Sequence, residues 1–170
     1  MNKKYLTGAA AAVVFMAGAG AYFLYGKHFP NEPTGFDGIA FGSPLADHIQ
    51  RLGLEKKDNS NSPEGKVGIT SYEPNNEKLP VDGRGDDVRL LAYKGNFVGM
   101  YLSRSNCGNL LDVYMNKYGK PMKESVKEGY HSYFWSGSIS KIKITTNGSW
   151  CESTIRYVPA LEELMKMRNN

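Results

Sequence analysis

Three strands and the turns between them are predicted in HSYFWSGSISKIKITTNGSWCESTIRYV, residues 131–158. A serine-glycine turn separates the first strand from the second, 139–146, in which Ile142 and Ile144 alternate with lysines and a threonine. Asn147-Gly148 is a strong two-residue hairpin signal, after which the chain returns as a third strand. Strands joined by turns this short pair in antiparallel fashion. The C-terminal half therefore predicts an antiparallel sheet.

Helices and further strands precede and follow this segment. One helix is capped by Ser43, has Pro44 at its first position and ends at Gly53, and a second ends at Gly119. The remaining predicted elements are strands over 36–41, 67–72, 88–93 and 97–103 and a last helix over 159–167. We predict an α+β fold, with an antiparallel sheet packed by helices on one face.

The two halves of the chain share an order of predicted elements: a helix that ends in glycine, a loop, a strand and a hairpin. Aligning Gly53 with Gly119 places Leu45 over Leu111 and Ile49 over Met115. This order is compatible with a tandem αβββ repeat. It is equally compatible with two unrelated segments built from common parts.

The N-terminal residues have the properties of a membrane anchor. Lys3 and Lys4 precede 5–26, which are 22 residues without a charge. As a helix these residues would span about 33 Å, enough for the ~30 Å hydrocarbon core of a bilayer. Lysines before such a segment stay in the cytoplasm, so the rest of the chain would be exported. The predicted division is a membrane anchor or signal segment over 1–26, a linker over 27–35 and a periplasmic domain over 36–170.

A cleaved signal peptide is the alternative for the same residues. Ala17-Gly18-Ala19 fits a small-x-small cleavage site, although 22–25 continue the apolar run beyond it. A buried core helix is a further alternative. The first interpretation predicts a single-pass protein of a bacterial inner membrane, and the second predicts a secreted or periplasmic protein.

Composition and charge exclude two broad classes. The chain has 170 residues, of which 41% are hydrophobic, a value typical of globular proteins and too high for wholesale disorder. Its formal net charge is +4, and two of the excess charges are Lys3 and Lys4. A protein that binds nucleic acid would carry a much larger excess or a basic stripe, so no nucleic-acid partner is expected.

Two cysteines, Cys107 and Cys151, fall in the part predicted to be exported. An even number of cysteines in an oxidising compartment predicts a disulfide. It would close a loop of about 44 residues and stabilise the fold by roughly 4 kcal/mol in the chain-entropy model. The alternatives are two separate buried thiols, or a reactive Cys107 at a predicted helix N-terminus, where a thiolate is favoured.

The sequence lacks the common motifs for catalysis and metal binding. His28, His48 and His131 lack the spacing of a zinc pair, and the sequence contains no Gly-x-Ser-x-Gly elbow, P-loop or dinucleotide fingerprint. The acidic run at 82–87 lacks the spacing of a calcium loop. We therefore expect no metal, no cofactor and no enzymatic activity.

Aromatic residues in the strand over 131–135 supply the candidate binding site. By the two-residue period of a strand, His131, Tyr133 and Trp135 share one face and Phe134 lies on the other. If the first set lies on an open sheet face, its tyrosine and tryptophan would be good anchors for a protein partner. The alternative is that both sets belong to the core and to ordinary cross-strand pairs.

The helix opening Phe41-Gly42-Ser43-Pro44-Leu45, with Leu52-Gly53 at its end, resembles small exported bacterial domains. These are the SmpA/OmlA-type outer-membrane assembly lipoproteins and the β-lactamase-inhibitor-protein fold, which is a tandem repeat of a small α/β unit. The resemblance implies a non-enzymatic domain that binds proteins through a sheet face. The chain departs from the lipoproteins because it has no cysteine near position 20 for lipid attachment.

These observations lead to a functional hypothesis with two alternatives. The chain would be a membrane-tethered periplasmic binding or accessory module that acts by protein–protein contact in the bacterial envelope. The first alternative is a secreted inhibitor or immunity-type protein. The second is a thiol enzyme that uses Cys107.

Overall fold

The computed structural model describes residues 28–79 and 84–168. Their strands are β1 (Gly35–Phe36), β2 (Ile39–Ala40), β3 (Glu55–Lys57), β4 (Ile69–Glu73), β5 (Asp87–Tyr93), β6 (Asn96–Arg104), β7 (Lys123–Lys127), β8 (Tyr130–Ser136), β9 (Ser140–Thr146) and β10 (Cys151–Tyr157). Their α-helices are α1 (Ile49–Leu52), α2 (Pro63–Lys66), α3 (Leu110–Tyr118) and α4 (Val158–Arg168), with 3-10 turns at Leu45–His48 and Asn76–Lys78. The fold is mixed α+β, which confirms the predicted class.

Eight of these strands form one antiparallel sheet in the order β3-β4-β5-β6-β10-β9-β8-β7, and β1 and β2 form a separate small hairpin. Each half of the chain has a helical segment followed by a four-stranded meander, and the last strands of the two meanders pair with each other. The expected unit had three strands. The missed strands, β3 and β7, are exposed along their whole length and lack apolar alternation, so their sequences carry no strand periodicity.

Two tight turns set the register of the hairpins. Lys94 and Gly95 have φ angles of 52° and 82°, and Glu128 and Gly129 have φ angles of 53° and 80°. Positive φ at both central residues is the geometry of a type I′ turn, whose twist matches that of paired strands. The hairpin predicted at Lys94-Gly95-Asn96 is confirmed in β5 and β6.

The main core lies between one face of the sheet and the segments α1 and α3. Phe97, Leu90, Trp135, Ile142 and Ile144 are fully buried there. In α1, Leu52 is buried as expected, but Ile49 is 41% exposed. A helix of one turn presents too narrow an apolar stripe to bury both residues.

The opposite face of the sheet carries α4. Ala160 and Leu164 of this helix pack on Leu91, Tyr93 and Val98, in a cluster separate from the main core. Leu91 and Tyr93 alternate with Leu90 and Ala92, which belong to the main core, because successive strand residues face opposite ways. The expectation that helices pack on one face only is therefore wrong.

The described chain begins with a segment that is held against the sheet. Phe29 is buried edge-to-face against Tyr118, with 5.9 Å between ring centroids. The Glu32 carboxylate accepts hydrogen bonds from the amides of Ile139 and Ser140, at 2.6 and 2.7 Å, in the turn between β8 and β9. A Cβ on Gly137 would overlap this carboxylate. Residues 28–35, expected to be a linker, thus pack on the domain.

The predicted anchor over 1–26 lies outside the described residues. Within 28–79 and 84–168, none of the helices has the length and apolar character needed to cross a membrane.

Replacing Glu32 tests whether this carboxylate fastens the N-terminal segment. Glu32→Gln removes the charge from two short hydrogen bonds, so we expect the free energy of unfolding to fall by about 1–3 kcal/mol. Urea unfolding of the full chain in detergent, followed by circular dichroism, measures the change. Glu55→Gln, at an exposed edge-strand position, is the matched control. Equal stabilities of the two variants would contradict the assignment.

Candidate functional site

The residues predicted to bind a partner lie on the helix-covered face of the sheet. Trp135 is 1% exposed, its ring centroid is 6.4 Å from that of Tyr114, and its indole N–H donates to the carbonyl of Gly119 at 2.9 Å. Trp135 is a core residue beneath α3, so its proposed role as an exposed anchor is wrong. Tyr133 is half-buried against the same core, and His131 is exposed beyond it. The period of two is confirmed, but it could not show which face α3 covers.

The open face is the one that carries Phe134. Cross-strand partners point to the same side of a sheet, so a continuous row can be traced through the pairing. It contains Lys123 in β7, Phe134 in β8, Lys143 in β9, Thr154 in β10, Tyr101 in β6 and Arg89 in β5. Four of these side chains are half-buried, and the two end residues are exposed. We call this set the open-face row.

A groove of about 410 Å³ lies along the outer four residues of the open-face row, from Lys123 to Thr154. Its apolar part includes Phe134, Met122, which is 43% exposed, and Leu161 of α4. Its cationic residues are Lys123, Lys141, Lys143 and Arg156. The residues that line it include no carboxylate among those that the structure describes. We call this feature the basic groove.

Three lysines of the basic groove are not neutralised by their surroundings. Lys123, Lys141 and Lys143 form no ion pair with any other described residue. Lys141 lies directly opposite Arg156 in the β9–β10 pairing. Like charges in directly opposed positions destabilise a sheet. The arrangement therefore concentrates positive potential on one part of a chain whose overall charge is nearly balanced.

Arg156 forms the inner boundary of the basic groove. Burial lowers the pKa of its guanidinium, although Glu64, at 3.6 Å, opposes this shift. Its Nη1 is buried without a hydrogen-bond partner among the described residues. On the neighbouring strand, a Cβ at Gly99 would overlap the carbonyl of Ile155 and lie 3.3 Å from the Arg156 Cδ. Glycine at this position makes room for the arginine stem to cross β6.

The sequence contained a partial signal for this site. The alternation of Lys141 and Lys143 with isoleucines shows that both lysines share the polar face of a strand. Lys123 lies 18 residues before Lys141, and Arg156 lies 13 residues after Lys143. Only strand pairing brings these two side chains beside that face. The basic surface is therefore formed by residues of different strands and is not contiguous in the sequence.

The two cysteines lie beside each other at the other end of β10. Cys107 is half-buried and its Sγ lies 3.4 Å from the Thr146 hydroxyl, whereas Cys151 is fully buried. Both are free thiols in this structure, close together but not bonded. Burial, reinforced by a hydrogen bond with Cys107, raises the pKa of the Cys151 thiol to about 12. The disulfide stays a prediction.

The raised pKa of Cys151 predicts selective alkylation of the reduced chain. A thiol reacts as its thiolate, and that of Cys151 becomes populated only as the pH approaches about 12. At pH 8 we expect iodoacetamide to modify Cys107 and to leave Cys151 unmodified, as read by peptide mass spectrometry. Unfolding the chain in guanidinium should abolish the difference. Comparable labelling of both cysteines in the folded chain would contradict this result.

The proximity of the two thiols predicts that they form a disulfide under oxidising conditions. In an oxidised glutathione buffer the full chain should lose two hydrogens, a mass decrease of about 2 Da, and gain up to roughly 4 kcal/mol in stability. Cys107→Ser should show neither change. An unchanged mass in the wild-type chain would contradict the pairing.

Among the described residues, no group of three His, Cys, Asp or Glu side chains is arranged to hold a metal ion. Comparison of the chain with family models, with curated proteins and with solved structures found no match. The resemblance to exported bacterial domains therefore stays a hypothesis.

Proposed function

We propose that the chain is a membrane-tethered binding module of the bacterial envelope, anchored in the inner membrane by residues 5–26 with its domain in the periplasm. In this proposal it acts by protein–protein contact and not by catalysis. The observation that carries the proposal is the open-face row, which runs across six strands of the sheet and which α4, among the described helices, borders at Leu161.

The two inner residues of this row, Arg89 and Tyr101, have the character of a protein-binding surface. The Arg89 guanidinium lies 5.5 Å from the centroid of the Tyr101 ring and is also held by Asp87. Tyrosine and arginine are enriched among the residues that contribute most to protein–protein binding. Because these side chains stand on paired strands and hold one another in place, they lose little conformational entropy when a partner binds.

We infer that the two halves are copies of one αββββ unit. The support is their common element order and the antiparallel pairing of β6 with β10, which places two meanders side by side about an approximate two-fold axis. Such a duplication produces a wide sheet from a small unit. It is also the feature that the resemblance to the β-lactamase-inhibitor-protein fold implies.

A secreted inhibitor or immunity-type protein is the second candidate, favoured by the cleavage-like Ala17-Gly18-Ala19. It would use the same open face without a tether. The intact mass of the chain recovered from the membrane fraction distinguishes the two, since cleavage removes the anchor.

The thiol-enzyme alternative has less support. Two groups that contact the Cys107 sulfur are the Thr146 hydroxyl and the Cys151 thiol, whose pKa is raised. Neither can act as a general base at neutral pH.

Site-specific photo-crosslinking in intact envelopes tests the proposed contact. A benzophenone side chain at Tyr101 should yield a discrete protein adduct, because this position lies on the open face. The matched control is Val126, which is 66% exposed but lies on the other face of the sheet. Adducts of equal yield from both positions, or none from Tyr101, would overturn the assignment of this face.

A further inference from the structure

The described chain begins beside the basic groove. The His28 Nδ1 lies 3.4 Å from the Ser138 hydroxyl, in the turn between β8 and β9. Ser136 and Lys141 flank this turn and both line the groove. Residue 26, the last of the proposed anchor, is two residues before His28, a separation of at most about 7 Å along the chain. The groove therefore lies at the end of the domain nearest the proposed membrane span.

Positive charge is concentrated at this same end. Lys117 and Lys120 lie at and just beyond the C-terminal end of α3, where the Asn31 side chain donates to the Lys117 carbonyl, and Lys123 follows at the start of β7. Together with Lys141 and Lys143 they make five lysines near the point where the chain enters. Exposed charges act on an approaching anion over about 8 Å at physiological salt, so lysines grouped at one end of the domain favour an anionic ligand there.

Among the described residues, no carboxylate forms an ion pair with these five lysines. Glu32 is 6% exposed and accepts two backbone hydrogen bonds in the β8–β9 turn. Glu64 pairs with Arg156. Glu152, the open-face carboxylate of β10, pairs in register with Thr145 and Ser103, toward the opposite end of the strand. Glu124, which follows Lys123 in β7, and Glu162, which is next to Leu161 on α4, are exposed carboxylates near the groove, so the lysines are in excess but are not the only charges there.

The apolar residues of the groove suit the boundary between headgroups and acyl chains. Met122 is exposed at the rim and Phe134 is half-buried in the wall. Lysine stems can lie along such apolar surface while their ammonium groups reach out to phosphates. The groove therefore combines apolar contact at Met122 and Phe134 with the cations of the neighbouring lysines.

We propose that the basic groove binds the headgroups of anionic phospholipids and holds the domain down on the membrane that anchors it. This inference rests on the proposed anchor over 5–26. An acidic protein segment could also pair with the lysines of the groove. The short tether, however, keeps the membrane surface at a high effective concentration near the groove. Tyr101 lies one strand beyond Thr154, the innermost groove residue of the open-face row, so the proposed partner surface adjoins the groove.

Lysine footprinting of the full chain tests the proposal. One sample is reconstituted in phosphatidylcholine vesicles. A second is reconstituted in anionic vesicles, in which about a quarter of the phosphatidylcholine is replaced by phosphatidylglycerol. Both are treated briefly with a reagent that acylates lysine. We expect Lys123, Lys141 and Lys143 to be acylated several-fold more slowly in the anionic vesicles. Lys56 in β3 and Lys127 at the far end of β7 are internal controls whose rates should not change. High salt should remove the difference.

A charge-reversed variant separates groove docking from general attraction. Each lysine near an anionic surface strengthens binding by about fivefold, so Lys141→Glu with Lys143→Glu should abolish the protection of Lys123. The matched control, Lys56→Glu with Lys127→Glu, makes the same change in net charge. In this variant Lys123 should still be protected from acylation. Equal loss in both variants would overturn the groove as the docking site.

Flotation of the same samples separates failure of the docking from failure of the anchor. Flotation with both kinds of vesicle, but with no protection, would overturn the lipid site and leave the anchor standing. Flotation with anionic vesicles alone, with protection, would support the site and overturn the anchor. Flotation with neither would overturn both. In native envelopes, protection that disappears when other proteins are digested would instead identify an acidic protein as the occupant and overturn the lipid assignment.

Discussion

The pairing of β6 with β10 is the contact on which the rest of the structure depends. Residues 99–104 of one meander pair in register with 151–156 of the other, and this ladder turns two four-stranded units into one sheet. It also pairs the backbone of one edge strand of each unit, so neither of these strands is an edge of the combined sheet. The edges that remain, β3 and β7, are short and charged, which discourages pairing with other chains. A single ladder thus determines the width of the sheet and the character of its ends.

Joining the meanders gives the sheet two faces with different roles. One face is closed by α1, α3 and the first described residues, and it holds the large core around Trp135. The other is covered by α4 over the strands near Leu91 and Val98 and stays open toward β7 and β8. The open-face row and the basic groove lie where this cover ends. Both proposed contacts follow from one asymmetry in how the helices are distributed.

The proposed membrane contact and the proposed partner contact adjoin each other on one face of the sheet. The Glu32 carboxylate fastens the entering chain to the β8–β9 turn, so the groove beside that turn is positioned by the same contact that fixes the start of the domain. Tyr101 lies one strand beyond the groove, directly opposite Thr154, which lines it. The proposed partner surface therefore adjoins the proposed lipid site on the same face of the sheet.

Local pattern in the sequence determined the α+β class, the tight turns such as Lys94-Gly95, the helix ends at Gly53 and Gly119 and six strands of the main sheet, because periodicity and turn chemistry are properties of neighbouring residues. It also showed that His131, Tyr133 and Trp135 share a face. Only the tertiary structure decided that α3 covers that face, and that Lys123 and Arg156 join Lys141 and Lys143 on the other. A strand's two faces are equivalent until another element packs on one of them, and cross-strand neighbours depend on pairing between residues distant in sequence.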